Sequence, residues 1–220
     1  MLCTSSEDNI EEFYRHALSE GISKEQLFSS DNLKEYIDTS VDGYRKYPLF
    51  VDMFKGNYNE AVLSRMMNID YKSRIGRIAG IASSENYESV MLLEPPCSEK
   101  VSMLQYFKIA KISDYMLYFR PSLHRQQNYE DYALSKRKPY LDEKTWYVYV
   151  FVTKGEFQRH GYGKKLMHVA CSFADKTGTR ICLETNQDAN VAMYEQFGFK
   201  LKDTSVYKNR MDHFVMVYGE

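Results

Sequence analysis

Residues 146–153, WYVYVFVT, carry no charge and consist wholly of aromatic and β-branched side chains. That composition is the profile of a strand buried on both faces, which needs sheet neighbours at its edges and cover above and below. Part of the cover follows directly. The segment 157–165, FQRHGYGKK, sets Gly161 and Gly163 among basic residues. From residue 161 to 175 the chain then carries Leu166, Val169, Ala170 and Phe173 at i, i+3, i+4 and i+7, with Gly178 as a stop. A buried strand therefore runs through a glycine turn into an amphipathic helix.

The pattern continues beyond it. RICLET, 180–185, reads as the next strand, and 188–197 as a short helix with Val191, Tyr194 and Phe197 in register, ended by Gly198. FKLKDTSV and HFVMVY read as a closing pair of strands. Strand, helix, strand, helix, strand, strand implies an α/β class with a mixed sheet. The N-terminal part reads as helical. A first helix has Ser and Asp caps, Ile10, Phe13, Ala17 and Leu18 on one face, and Gly21 as its stop. A second is expected from Asp31 to Tyr47, ended by Pro48, and a third over 59–73. RIAGIASS and ESVMLLEPP read as a hairpin turning near Glu85 and Asn86, and two amphipathic stretches, 99–119 and 123–137, flank Pro121. With no repeat or linker, residues 1–220 read as one domain, 1–75 mainly helical and 146–218 its core.

Composition removes several functions. A net charge of −1, from 29 basic and 30 acidic side chains, supplies no field for nucleic acid or an anionic membrane. Cys3, Cys97, Cys171 and Cys182 lack metal-ligand spacing and read as free thiols of a reducing compartment. No metal is expected. No run is long and apolar enough to span a bilayer, and the first residues are too polar for a signal peptide, so a cytoplasmic protein is expected.

A glycine turn opening a helix presents free backbone N–H groups and the positive end of the helix dipole, which together make an anion site suited to phosphate. Arg159, His160, Lys164 and Lys165 add charge nearby. A triphosphate loop is excluded, because Gln158 stands five residues before Gly163 and Lys164 is followed by Lys165. A dinucleotide fingerprint fails at Leu166, where its third glycine is required. The segment instead resembles the [QR]xxGx[GA] pyrophosphate loop of the GNAT superfamily of N-acetyltransferases, through Gln158, Gly161 and Gly163. Downstream, CLETNQDANVAMYEQFGFK resembles the second signature of that superfamily, through Asn190, Tyr194, Gly198 and Phe199. The resemblance covers about residues 146–218, and more loosely DGYRKYPLF and MLLEPP, which are similar to a branch containing small-molecule acetyltransferases.

The resemblance implies a GNAT fold, in which two central parallel strands, here 146–153 and 180–185, splay apart to admit a thioester. It implies that backbone amides of Gln158, Arg159, His160, Gly161, Tyr162, Gly163 and Lys164 hold the pyrophosphate of acetyl-CoA, while Val152 and Thr153 pair with its pantetheine arm. Asn190 would bond the arm and Tyr194 would stand near the sulfur. Lys154 departs from the family pattern and leaves the loop's rigidity open. Acetyl transfer to an amine requires a neutral nucleophile and a protonated leaving thiol. A lysine-like amine is neutral in about one part in 2,500 at pH 7, so presenting it deprotonated is worth roughly 4 to 5 kcal/mol. Tyr194 is the expected general acid. Glu184, a carboxylate in an apolar strand whose pKa burial would raise, is the expected base, with His213 as another candidate. Tyr44, Phe50, Phe54 and Tyr115 are candidate walls of the acceptor pocket. The resulting expectation is an acetyl-CoA dependent N-acetyltransferase for a small-molecule primary amine, a monomer or a dimer paired through its last strand. A non-catalytic acyl-CoA sensor and a protein N-terminal or lysine acetyltransferase are the alternatives.

Overall fold

The run read as a buried strand lies at the centre of a six-stranded mixed sheet. The computed structural model describes residues 5–98, 101–111, 114, 117 and 120–219. Strands β1 (Ala79–Ala82), β2 (Ser89–Glu94), β3 (Thr145–Thr153), β4 (Arg180–Thr185), β5 (Lys200–Tyr207) and β6 (Met211–Tyr218) lie in the order β1-β2-β3-β4-β6-β5. Among the described residues only the β3/β4 pair is parallel. The last strand, β6, therefore sits between β4 and β5, and the edge on that side is β5. Pairing of the last strand across a dimer axis is corrected by this order, because both edges of β6 are already used.

Helices cover both faces. On one face α1 (Ser6–Ser19) packs on α7 (Tyr162–Thr177) over a core that includes Phe13, Trp146, Leu166 and Phe173. Ser5 caps α1 by accepting from the Asp8 amide at 3.1 Å, and Ile10, Phe13 and Ala17 point inward as expected. Leu18 instead is exposed and His16 is buried. The other face carries α2 (Leu33–Gly43), α3 (Pro48–Phe54), α4 (Glu60–Arg74), α5 (Met103–Ile109) and α6 (Pro121–Arg137). Its core includes Tyr36, Leu63, Tyr71, Leu92 and Val150. α8 (Asp188–Gln196) follows β4.

Two prolines behave differently from the sequence reading. Pro48 does not end the second helix, which has already stopped at Gly43; it stands at the first position of α3. Pro121 likewise opens α6. At a first helical position the missing N–H costs nothing and the fixed φ is already helical. Of the expected helix over 99–119, the stretch Met103–Ile109 is α-helical. The cysteines differ in part: Cys171 and Cys182 are buried free thiols, whereas Cys97 is disulfide-bonded, so the four are not all free. Among the described residues no helix is long and apolar enough to cross a membrane, and no group of side chains has the make-up of a metal site.

β3 contains the irregularity that shapes the site. Its register with β2 slips between Leu92 and Leu93, pairing them with Val150 and Val148, so Tyr149 is an extra residue. A bulge of this kind shifts the alternation of side chains by one. Accordingly Trp146 and Val148 face the α1/α7 core, whereas Val150 and Val152 face the α2/α4 core.

Candidate active site

β3 and β4 are paired only from Thr145↔Arg180 to Tyr147↔Cys182, and beyond that point they part. In an antiparallel ladder backbone groups alternate between the partner and the opposite side. Lys154 donates to the Glu88 carbonyl at 2.9 Å, which fixes 154, 152 and 150 as the residues bonded to β2. Ser89 Oγ also donates to the Val152 carbonyl at 3.0 Å. The slot between β3 and β4 is therefore faced by the backbone groups of Phe151 and Thr153. Of the expected pair, Thr153 faces the slot, whereas Val152 is bonded to β2 and Phe151 faces the slot in its place, because the bulge at Tyr149 resets the alternation.

The turn after β3 opens α7 without a side-chain cap, and Gly161 at the N-cap has a φ of +88°. None of the backbone N–H groups of residues 159–164 donates to another group of the described chain. Six donors at one helix N-terminus make a cradle for an anion. The two glycines have different reasons. Gly161 supplies a left-handed conformation with open space around it, whereas a Cβ on Gly163 would lie 3.0 Å from the Phe151 ring. Arg159, His160 and Lys164 are exposed beside the cradle, and Tyr162 is half-buried. Lys165 is not available, because its Nζ donates to the Ser83 carbonyl at 3.0 Å. The loop before the cradle is pinned despite its lysine: Lys154 Nζ donates to the Asn86 carbonyl at 2.9 Å and the Gly155 amide to Asp42 Oδ2 at 2.6 Å. Gln158 Nε2 reaches the Thr153 carbonyl at 3.4 Å.

A single cavity of about 1260 Å³ runs from this cradle along the slot and under α4 and α6. It exceeds the roughly 300–1,000 Å³ of an ordinary small-molecule site, so it has room for a long cofactor arm and a second molecule. Asn190 and Tyr194, one turn apart on α8, both line it. Asn190 donates to Thr185 Oγ1 at 3.0 Å, which turns its carboxamide toward the end of β4. Tyr194 is 5% exposed, packed near Phe151 and Phe199, and its hydroxyl has no hydrogen-bond partner among the described residues. Burial, together with the nearby Tyr47, pushes its pKa well above the ordinary phenol value. It stays protonated, a donor aimed at the cavity. Of the candidate acceptor walls, Tyr44 and Phe50 line this cavity, Phe54 does not, and Tyr115 lies outside the described residues.

Glu184 is not the isolated carboxylate that the sequence suggested. Its Oε2 accepts from Tyr147 at 2.8 Å and from Arg137 at 3.1 Å, while its Oε1 faces His213 Nε2 at 3.4 Å. Burial alone would raise its pKa. The facing imidazole, the Arg137 guanidinium and the Tyr147 hydroxyl outweigh that and hold it below the usual carboxylate value. His213 lies within β6, fully buried, with Nδ1 2.9 Å from Tyr129 Oη.

The helical face adds residues that the sequence did not single out. Asp70 of α4 accepts from Tyr149 at 2.6 Å, Tyr106 at 3.3 Å and Arg74 at 3.1 Å. Arg74 also binds Glu94 and lies over the Tyr149 ring, its guanidinium carbon 3.9 Å from the centroid. Arg137 of α6 binds Glu130 and Glu184 and covers Tyr147. Glu130 lines the cavity with 47% of its side chain open, and its depth raises its pKa against the opposing pull of Arg137. Four carboxylates, Asp70, Glu94, Glu130 and Glu184, thus meet two guanidiniums. Of the charged side chains that line the cavity away from the cradle, Asp70, Glu130 and Glu184 outnumber Lys46 and Arg74 by one, so the lining there is opposite in sign to the cradle.

Residues 118–199 match the acetyltransferase (GNAT) family. No curated protein sequence matches the chain. Among solved structures it is similar to the C-terminal condensation domain of Ebony in complex with beta-alanyl-dopamine, at a TM-score of 0.60 and 11% identity over 87% of this chain and 96% of that one. It is similar to a mosquito arylalkylamine N-acetyltransferase like 5b at 0.56 and 12%, over 88% and 97%. A Corynebacterium glutamicum protein described as histone acetyltransferase HPA2 and related acetyltransferase gives 0.56 and 14%, over 87% and 94%. At these identities the structures report the shared fold alone, while the sequence match covers the loop and the α8 signature. Residues 118–199 therefore carry the match to the GNAT family, whose members transfer acetyl groups from acetyl-CoA, and the whole chain shares the fold of the solved structures.

Proposed function

We propose that this enzyme acetylates the primary amine of a small, positively charged molecule. The observation that carries this reading is the polarity of one continuous cavity, with free amides at one end and surplus carboxylates at the other. The amides of residues 159–164 would hold the pyrophosphate of acetyl-CoA, with Arg159, His160 and Lys164 at its rim. Phe151 and Thr153 would bond the pantetheine amides, and Asn190 would face the arm. When bound, acetyl-CoA supplies a thioester whose carbonyl carbon accepts the amine. Aromatic walls and the carboxylates Asp70 and Glu130 would draw a cationic acceptor through charge and cation–π attraction.

Tyr194 is the general acid in this reading. A thiol titrates near 8.5 and this phenol well above 10, so Tyr194 is protonated at neutral pH and ready to bond and neutralise sulfur as it leaves. Its hydroxyl has no structural task, so Tyr194→Phe separates chemistry from folding. The substitution should lower kcat by about 10²- to 10⁴-fold while leaving the Kd for acetyl-CoA and the Tm nearly unchanged. Thiol release and isothermal titration measure the two sides. Equal losses of turnover and affinity, or no loss of turnover, would remove Tyr194 from the acid role.

A further inference from the structure

We infer that Tyr129, His213 and Glu184 form a proton relay that opens at Tyr129 into the acceptor end of the cavity and deprotonates the incoming amine. The inference rests on the acetyl-transfer reading above. It begins from two buried atoms: among the described residues Glu184 Oε1 and His213 Nε2 have no hydrogen-bond partner, yet they face each other at 3.4 Å. His213 is fully buried and the Glu184 side chain is 10% exposed. Burying two such atoms without full partners is costly, so their juxtaposition calls for an explanation.

The proton positions follow from the neighbours. Asn186 Nδ2 donates to the Asp212 carbonyl at 2.6 Å, which fixes the orientation of its amide, and also to Tyr129 Oη at 2.7 Å. The Tyr129 hydroxyl then gives its own proton to His213 Nδ1 at 2.9 Å. The ring's hydrogen is left on Nε2, against the carboxylate. The other tautomer would turn the Nε2 lone pair toward an ionised Glu184, a repulsive contact. Other groups around the imidazole do not change this. Tyr132 of α6 has its ring 5.5 Å away, Tyr207 of β5 packs on Tyr129 and Tyr132, and Arg137, Glu130 and Tyr147 act through Glu184. Asp212 presents its carbonyl to Asn186.

Tyr129 lines the cavity, and Asn186 links it to the reacting end: the Asn186 amide donates to Tyr47 Oη at 3.0 Å, and Tyr47 lies close to Tyr194. Alone, a buried phenol is a poor base, because its anion is costly there. Coupled to His213 it never becomes an anion. The acceptor's ammonium gives one proton to Tyr129 Oη as the proton already on Tyr129 moves to His213 Nδ1. The imidazolium that results lies beside the Glu184 carboxylate. The amine nitrogen then bonds the acetyl carbon, the carbon–sulfur bond breaks with its electron pair on sulfur, and Tyr194 protonates sulfur and regains a proton from the nitrogen. After the amide leaves, His213 returns its extra proton to solvent through Tyr129. Of the two N–H protons lost, one ends on the thiol and one in water. Tyr129 is the catalytic residue of the relay; His213 and Glu184 act through it as positioning residues.

The test is the pH dependence of Tyr129→Phe, with tyramine and agmatine as probe amines and thiol release as readout. Near pH 7 the variant should lose about 10²- to 10⁴-fold in kcat/KM for the amine, with an unchanged Kd for acetyl-CoA. The gap should close to less than about 10-fold above about pH 10, where the amine is neutral without help. A loss of the same size at every pH, or no loss, overturns the relay. Nitrogen-15 NMR of His213 in the wild type gives a check independent of any variant: the Nε2–H tautomer is expected, and Nδ1–H overturns the relay whether or not turnover is seen. Failure of the wild type to release thiol with either amine would count against the transfer reading, with the tautomer still deciding the relay.

Discussion

Replacing Glu184 by alanine should destabilise the protein far more than an average buried substitution, because three donors converge on this carboxylate. Tyr147 and Arg137 bond its Oε2 and His213 faces its Oε1. Arg137 is 6% exposed, so removal of Glu184 leaves a buried guanidinium with Glu130 as its remaining ion-pair partner. Breaking a buried ion pair from one side costs about 3–5 kcal/mol. The surviving Glu130 contact places this case near the lower value, about 3 kcal/mol, which for a chain of this size lowers the Tm by about 6–12 °C. Glu184→Gln keeps the shape but offers one acceptor oxygen and turns an NH₂ toward donors, so a loss of about 1–3 kcal/mol is expected. The pH dependence follows from the lowered pKa of Glu184. A carboxylate whose folded pKa lies below its unfolded value of about 4.3 stabilises fully above that value, and the contribution is lost as pH falls through the folded pKa. The Tm gap between wild type and Glu184→Gln should therefore be flat between about pH 6 and about pH 8 and shrink below about pH 4. Circular dichroism melts across that range measure it. An alanine variant melting within about 2 °C of wild type would refute the reasoning, since by the same conversion it bounds the network's contribution at about 1 kcal/mol.

Two further substitutions probe the end proposed for the cofactor. Gly161→Glu sets a side chain at a φ of +88° and a negative charge at the amide cradle; acetyl-CoA binding by titration should weaken at least about 100-fold, for a strain cost of only about 1–2 kcal/mol. Gly43→Ala sets a Cβ 2.3 Å from Val152 Cγ2 and 2.6 Å from the Thr153 carbonyl. Moving the end of α2 off β3 should cost about 1–3 kcal/mol in a denaturant melt and raise the KM for acetyl-CoA.

The sequence carried the core strand, the glycine loop and the α8 signature because each is a local pattern: an unbroken apolar run, a glycine pair and a helical period. What it did not carry depends on distant chain segments. Nothing local to ICLET reports that Arg137 and His213 reach Glu184, so an apolar neighbourhood implied a raised pKa where the folded ion pair lowers it. Asp70, Glu130 and Tyr129 sit in ordinary amphipathic helices and become site residues only when α4 and α6 pack beside β3. A bulge is equally silent, since WYVYVFVT is apolar at every position and cannot show where its alternation slips. Pro48 misled for a simpler reason: it marks a helix boundary, and composition alone did not say on which side the helix lay.

That silent bulge links the two ends of the site. With regular pairing through Tyr149, residue 151 would have bonded β2 and residue 152 would have faced the slot; the extra residue reverses this and presents Phe151 and Thr153 to it. The Phe151 ring then points to the α7 side, where it packs against Gly163 and near Tyr194, and ties the cradle to the proposed acid. On the other side of the sheet Tyr147 and Tyr149 both turn toward the helical cover, where one bonds Glu184 and the other Asp70. The register shift therefore sets which backbone groups face the slot proposed for the cofactor, and Tyr149, the extra residue itself, supplies the bond to Asp70. Restoring a regular strand by deleting Tyr149 would be expected to disturb both together, which is why the shift belongs to the site and not merely to the sheet.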